Sequence, residues 1–321
     1  MSAVTHQTVS GDENGMRLDR WFRARYPELT HGRLQKMLRT GQVRVDGARA
    51  KASARLESGQ DVRVPPLPVP VGRKSAKKPE LSAADREFVK SLVLYRDDGL
   101  IVINKPAGLA AQGGSRTGRH LDGMLDGLTF KAPERPRLVH RLDRDTSGAM
   151  ALARNRLTAN ALATAFRARR VTKVYWALVS GVPDIAAGTV DLALIKAGRA
   201  GDQRMRVAEA GSPGAQRART HYEVVDRAGR AVSWLRLEPE TGRTHQLRVH
   251  LEAIGHPILG DTKYRGSEES PAMDIAPRLH LHACRLQLPD DVSNGLEIEA
   301  PLPDDLLGSW RYFGFDPSFD V

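Results

Sequence analysis

Between Pro65 and Pro79 the chain changes character: Pro65-Pro-Leu-Pro-Val-Pro70 is followed by Gly72-Arg-Lys-Ser-Ala-Lys-Lys78. Prolines make such a stretch a semi-rigid spacer, and its lysines add to a basic field rather than to a core. The chain must therefore fold as two pieces, as its 321 residues also lead one to expect. The reading is a flexible stretch over 1–15, a small domain over 16–64, a linker over 65–80 and a larger domain over 81–321.

Ahead of the linker, residues 1 to about 15 are polar and expected to fray. From Met16 the pattern tightens, with Leu18, Trp21 and Phe22 at i, i+3 and i+4 as on a helix. A second helix is better marked. Thr30 is a good N-cap, Leu34, Met37 and Leu38 repeat the spacing, and Gly41 stands where a left-handed residue ends a helix. Its other surface carries Arg33, Lys36 and Arg39. The strand Gln42-Val-Arg-Val45 then sets Val43 and Val45 on one side and Arg44 on the other, before Asp46-Gly47 turns the chain. A small ribbon ends at Val62 and Val64.

Beyond residue 80, Leu92 to Tyr95 and Leu100 to Ile103 read as a hairpin around Asp97-Asp98-Gly99, running into Asn104-Lys-Pro-Ala-Gly108. The loop Gln112-Gly-Gly-Ser-Arg-Thr-Gly118 lacks the ending of a phosphate-cradling loop and reads as a surface loop. The richest stretch is Leu138-Val-His-Arg-Leu-Asp-Arg-Asp-Thr-Ser-Gly148. An apolar run of strand type, Leu138 to Leu142, gives way to charged residues and then to Thr146, Ser147 and Gly148, which favour turns. Asp143 is thus expected where a strand opens into a loop. Arg141 and Arg144 beside it favour an ionised carboxylate, the state a nucleophile or base needs.

Ala149 to Ala153 reads as a buried strand, and Asn155 to Arg169 as a helix with Leu157, Ala161, Leu162, Ala165 and Phe166 on one face. In Lys173-Val-Tyr-Trp-Ala-Leu-Val-Ser-Gly181, alternate residues from Lys173 share a face, Tyr175 among them. Residues 196–219 are basic and rich in Gly and Ala, and are expected to form loops. In Thr241-Gly-Arg-Thr-His-Gln-Leu-Arg-Val-His250 a helix is expected with Thr244 as its N-cap and Gly255 as its stop. His245, Arg248 and Glu252 project to one side of it, and a site-facing arginine there needs a carboxylate partner. His280, His282 and Cys284 alternate and could offer three ligands to zinc. They share a face with Leu286 and Leu288 and have no fourth ligand nearby, so no metal is expected. A last amphipathic helix, from Leu306, should close the core with Trp310, Tyr312 and Phe313.

Lys and Arg outnumber Asp and Glu by 49 to 38, a net charge of +11 and a pI near 10.0. That excess favours polyanionic partners, nucleic acid first. One cysteine, Cys284, excludes a disulfide framework and suits a reducing compartment. Met1 to Gly11 lacks the pattern of a signal peptide, and no run is apolar for long enough to span a bilayer. The expectation is a cytoplasmic monomer with no membrane partner.

His140-Arg-Leu-Asp-x-x-Thr-Ser-Gly148 resembles the signature of the RluA-type pseudouridine synthases. Three further stretches match that family's motifs in order: Asn104 to Gly108 with Gln112-Gly-Gly-Ser115, Lys173 to Gly181, and Thr241 to His250 with His256-Pro-Ile-Leu-Gly-Asp261. A small departure is Lys263-Tyr-Arg-Gly, where one residue separates the tyrosine from the glycine. Residues 16–64, two short basic helices and a ribbon, resemble the S4 RNA-binding domain.

The resemblance implies an α+β fold: a small S4 domain linked to a catalytic domain whose mixed, largely antiparallel sheet is flanked by helices and loops. It implies isomerisation of uridine to pseudouridine in RNA, with large-subunit ribosomal RNA as partner and no cofactor. The base must leave its helix, at a cost of a few kcal/mol. Carried over, Asp143 is the catalytic residue, Tyr175 packs on the target base, Arg248 pairs with the catalytic aspartate, and Arg141 enters the RNA near the flipped base. Arg33, Lys36, Arg39 and Arg44 would lie against phosphates, contacts that give affinity more than sequence choice. Whether Asp143 attacks C1′, attacks the ring or removes a sugar proton stays open.

Two other readings compete. A retaining glycoside hydrolase would need two carboxyl groups roughly 5 Å apart, and Asp143 and Asp145 are close in sequence; the neighbouring arginines favour a single ionised carboxylate instead. A non-catalytic S4-type RNA-binding or ribosome-assembly factor would be served equally well by the small domain and the charge. Binding alone, however, does not need Asp143, Tyr175 and Arg248 together.

Overall fold

The computed structural model describes residues 4–67, 81–113, 118–198, 204–264 and 274–318. The linker from residue 68, residues 114–117 of the glycine-rich loop, residues 199–203 of the basic stretch and the departure after Tyr264 lie outside the described residues. The chain divides into two compact units, Met1–Glu80 and Leu81–Val321.

In the first unit β1 (Thr5–Thr8) precedes α1 (Leu18–Arg25) and α2 (His31–Arg39), and β2 (Arg44–Val45) and β3 (Asp61–Val64) follow. The strands pair antiparallel in the order β1-β3-β2. Leu18, Trp21 and Phe22 of α1 and Leu34, Met37 and Leu38 of α2 pack on Val43, Val62 and Val64. The apolar stripes read from the spacing are thus the ones buried. The expectation of a flexible stretch over 1–15 is corrected for residues 5–13. Thr5–Thr8 pairs along β3, Val9 is only 1% exposed, and the Glu13 carboxylate accepts the Ser10 amide at 3.0 Å. The partner strand lies more than fifty residues away, so local polarity concealed it.

The second unit opens with α3 (Ala83–Ser91), then the hairpin of β4 (Val93–Arg96) and β5 (Leu100–Lys105). Asp97 clasps the hairpin turn, its Oδ1 accepting the amides of Gly99 and Leu100 at 2.7 Å each. There follow α4 (Leu121–Met124), β6 (Arg137–Leu138), β7 (Ser147–Ala153), α5 (Arg156–Arg167), β8 (Thr172–Ser180) and β9 (Ala187–Asp191). Next come the small hairpin of β10 (Leu194–Ala197) and β11 (Arg204–Val207), then β12 (Arg219–Ala228), β13 (Val232–Pro239) and α6 (Gln246–Ala253). The chain closes with β14 (Leu281–Gln287), α7 (Asp290–Ser293), β15 (Glu297–Glu299) and α8 (Asp304–Tyr312). Of the stretch 196–219, where loops are expected, residues 196–197 and 204–207 belong to the hairpin β10–β11, while 208–218 form turns and irregular chain in line with that reading.

The main sheet runs β4-β5-β7-β14-β8-β13-β12-β9, with β6 beside β7 and β15 beside β14. Only β7 with β14 is parallel, so the sheet is mixed and largely antiparallel. Alternation sends neighbours to opposite faces. Ile101 and Ile103 join Met150 and Leu152 in one core, while Leu100 and Val102 join Ala149, Ala151 and the α5 residues Leu162 and Ala165 in another. Further along, Ala177 and Val179 meet Leu247 and Leu251 of α6, while Leu178 meets Trp234 and Trp310. The sheet is therefore buried on both sides.

Gly148 sits inside β7 with φ 121, not in a turn as its neighbours Thr146 and Ser147 suggested. A Cβ there would lie 2.2 Å from the Ala283 carbonyl oxygen and 2.5 Å from its nitrogen. The parallel strand β14 approaches too closely for any side chain, and backbone cannot move aside as a flexible side chain could. Gly148→Ala is expected to destabilise the second unit by roughly 2 kcal/mol or more, read as a lower urea midpoint with unchanged slope.

Three other expectations change. Leu157 is 82% exposed, because it lies about 140° round the helix from buried Leu162. Tyr312 is 55% exposed and does not close the core, which Trp310 and Phe315 do. The N-cap of α6 is His245, not Thr244, and it is held left-handed at φ 55.

Candidate active site

β6 ends at Leu138, so Asp143 sits within an irregular loop ahead of β7 rather than at the end of a strand. The loop is nonetheless fixed. His140 Nε2 accepts the Ala151 amide at 2.9 Å, and its ring stacks on Phe166 at 4.3 Å. That acceptor role leaves the ring proton on Nδ1 and the imidazole neutral. Burial, with the Lys173 charge in support, pushes its pKa down to about 3. Leu142 is buried in the core, and the Thr146 amide donates to the Asp143 carbonyl at 3.3 Å.

From the other side Lys105, at the end of β5, stitches two loops together. Its fully buried Nζ donates to the carbonyls of Pro106 (2.8 Å), Leu109 (2.9 Å) and Arg144 (3.2 Å), and the Gly108 amide reaches the same Arg144 carbonyl at 2.8 Å. Burial pulls the Lys105 amine down to about 7, against the charges of Asp143 and Asp145 that support the ammonium. Three acceptors match the three protons of the charged form.

Between these braces the Asp143 carboxylate accepts no hydrogen bond from any other described residue. It lines a cavity of about 710 Å³ with Arg141, Tyr175, His245 and Arg248, and a second of about 600 Å³ that shares Arg141, His245 and Arg248. Tyr175 comes from the face of β8 that alternation assigned to it. Burial, then the Asp143 charge, raises the pKa of its hydroxyl, so it stays a phenol. The Met205 amide donates to Tyr264 Oη at 3.0 Å, and that hydroxyl lies 2.8 Å from His245 Nδ1. Its proton is therefore available to His245 Nδ1, which would leave the Nε2 proton as a donor.

The expected pairing of Arg248 with Asp143 is not what the structure shows. Arg248 Nε and Nη2 each donate at 2.7 Å to Asp261, whose side chain is 0% exposed. Asp261 also accepts the amides of Lys263 (2.8 Å) and Tyr264 (3.0 Å). A parallel fork of two bonds fixes the guanidinium plane, and the Tyr264 ring lies under it at 5.0 Å. Burial works against the arginine's charge, but the Asp261 bonds and the charges of Asp261 and Asp143 outweigh it and raise its pKa. Arg248 thus acts on Asp143 through space from a clamped position. Asp261 closes the motif His256 to Asp261, yet only its burial beside Arg248 reveals its role. Lys105 likewise lies within a motif, and only the fold shows what it binds.

Among the other expected residues, Arg141 is exposed at the cavity and has no partner among the described residues. Asp145 accepts Arg144 Nε at 2.9 Å in an exposed pair. In the first unit Arg33, Lys36 and Arg39 are exposed on α2, whereas Arg44 braces its own turn by donating to the carbonyls of Gly41 (3.3 Å) and Gly47 (2.8 Å). His280 bonds Ser309 Oγ at 2.9 Å, and His282 bonds both Ser147 Oγ and the Ala300 carbonyl at 2.9 Å. Cys284 Sγ donates to the Val174 carbonyl at 3.4 Å. All three are engaged within the core, and no group of metal-ligating side chains occurs among the described residues.

Comparison with known proteins gives a consistent result. The family described as RNA pseudouridylate synthase matches residues 99–253, from the start of β5 to the end of α6. The chain is 35% identical over 306 residues to ribosomal large subunit pseudouridine synthase C of Salmonella typhi, covering 93% of each, and equally similar to that of Escherichia coli K12. The Rickettsia conorii protein of the same name is 34% identical over 89% of this chain and 94% of its own length. Among solved structures, human RNA pseudouridylate synthase domain containing 4 superposes with a TM-score of 0.60 at 30% identity, covering 72% of this chain and 97% of that one. With the bare Asp143 carboxylate seated in the matched region, the chain belongs to the RNA pseudouridylate synthase family.

Proposed function

We propose that this protein converts uridine to pseudouridine within large-subunit ribosomal RNA, working as a cytoplasmic monomer without a cofactor. The observation that carries the reading is the Asp143 carboxylate, held by a braced loop in a cavity, and accepting no hydrogen bond from any other described residue. A buried or half-buried carboxylate kept for stability is hydrogen-bonded, as Asp261 is. One kept bare is available to a substrate.

In the proposed reaction the bond from C1′ to N1 breaks, the uracil turns, and a bond from C1′ to C5 forms, while the C5 proton leaves and N1 gains one. Tyr175 offers the flipped base a stacking face, and Arg248 supplies fixed positive charge beside Asp143. Arg141, exposed at the cavity, would enter the space the base vacates, since extrusion costs a few kcal/mol of stacking and pairing. The first unit acts as an S4-type module, with Arg33, Lys36 and Arg39 on phosphates and Arg44 holding the turn beside them.

The equal identity to enzymes named for the large ribosomal subunit supports that RNA as substrate. Tritium release from large-subunit RNA transcribed with 5-tritiated uridine tests the proposal. Release in step with pseudouridine formation is expected. Binding without release would favour a non-catalytic RNA-binding or assembly factor, and free uracil would indicate hydrolysis.

A further inference from the structure

α5 ends in a turn whose left-handed position, φ 60, is held by Arg169. The Arg169 amide donates to the Phe166 carbonyl at 3.2 Å and the Arg170 amide to the Ala165 carbonyl at 3.0 Å. Glycine is the usual occupant of that position, because a Cβ is crowded there. The ordinary duties of a helix end fall to its neighbours. Arg167 lies in the last turn, where a cation complements the helix dipole, and Arg170 pairs with Asp291 at 2.7 Å. Arg169 has no ion-pair partner among the described residues and instead lines the Asp143 cavity.

Beside it in the same cavity is Lys173 of β8, half-buried and also without an ion-pair partner among the described residues. Burial, then the facing Arg169 charge, lowers the pKa of the Lys173 amine. Two like charges converging on one space, one of them partly desolvated, are unfavourable unless an anion comes between them. Lys173 also shares a face with Tyr175, two residues and so roughly 7 Å along the strand. A single nucleotide spans that separation between its base and its backbone phosphate.

We propose that Arg169 and Lys173 form a phosphate subsite that grips the RNA backbone beside the nucleotide whose base enters the Asp143 cavity. The subsite rests on the reading of this protein as an RNA pseudouridine synthase. It explains why an arginine occupies a glycine position: the backbone strain places a guanidinium where a phosphate passes. Neither side chain touches the reacting atoms, so both are positioning residues.

The test uses the full chain and a transcript of large-subunit RNA, with Arg169→Gly, Lys173→Met and the double variant. Arg169→Gly is expected to melt at a higher temperature than the parent, since strain is relieved, and yet to bind RNA more weakly. For the double variant the slope of log affinity against log salt should become shallower by roughly 0.7 to 0.9 per lost contact. The single-turnover rate at saturating RNA should stay within a few-fold of the parent, while the RNA concentration needed for half saturation rises. A salt slope equal to the parent's in both single variants, whatever the melting temperature does, would overturn the subsite and leave Arg169 as a helix end alone. If the parent itself forms no pseudouridine in the transcript, the functional reading fails instead, and the two failures are told apart.

Discussion

Asp143→Asn is expected to lower the rate of pseudouridine formation by at least about 10³-fold while leaving the fold and RNA affinity essentially unchanged. The asymmetry follows from the structure. The carboxylate makes no hydrogen bond to other described residues, so an isosteric amide breaks none and leaves no buried donor stranded. What disappears is a charge felt by Lys105, Tyr175, His245 and Arg248 around the cavity, and with it the nucleophile or base. Single-turnover tritium release with enzyme in excess measures the first effect, and thermal melting the second. Appreciable turnover by the Asn variant would remove Asp143 from the reaction.

Arg248→Met should do the opposite with respect to stability. Asp261 is wholly enclosed, and its two oxygens take both arms of the guanidinium at 2.7 Å. Removing one partner of a buried pair leaves an uncompensated charge, at a cost of roughly 3–5 kcal/mol. Lys263 and Tyr264 amides soften this loss without replacing the positive charge. The rate should fall as well, because the cation that faces Asp143 is gone. Arg248→Lys keeps the charge but cannot reproduce the fork, so it should lie between parent and Met variant in both properties. Urea unfolding and single-turnover rates on the folded protein separate the two effects. A Met variant as stable as the parent would mean that the Asp261 pair contributes nothing to the fold; one with the parent's rate would make Arg248 purely structural.

The parts of this molecule that are legible in its sequence are those fixed by local pattern. The stripe of Leu34, Met37 and Leu38 identifies α2, and alternation from Lys173 places Tyr175 on the face that lines the Asp143 cavity. Motifs bring Asp143, Tyr175 and Arg248 to one cavity from three separate stretches, where local periodicity gives no hint of proximity. What stays hidden depends on contacts between distant segments. Thr5–Thr8 reads as frayed because its partner strand is remote. Gly148 reads as a turn glycine because only the approach of β14 reveals why no side chain fits. Arg248 is paired with the wrong immediate partner because two aspartates compete for it, and the buried one takes the hydrogen bonds. The left-handed residues His245 and Arg169 carry no sequence signal, since strain of this kind is set by the surrounding fold.

The most direct measurement is carbodiimide-blocked primer extension across large-subunit RNA from cells that lack this protein, complemented with the parent or with Asp143→Asn. Discrete pseudouridine stops should vanish in the deletion, return with the parent and stay absent with the Asn variant. Stops unchanged by the deletion, or restored by the Asn variant, would contradict the account that the Asp143 cavity isomerises uridines in that RNA.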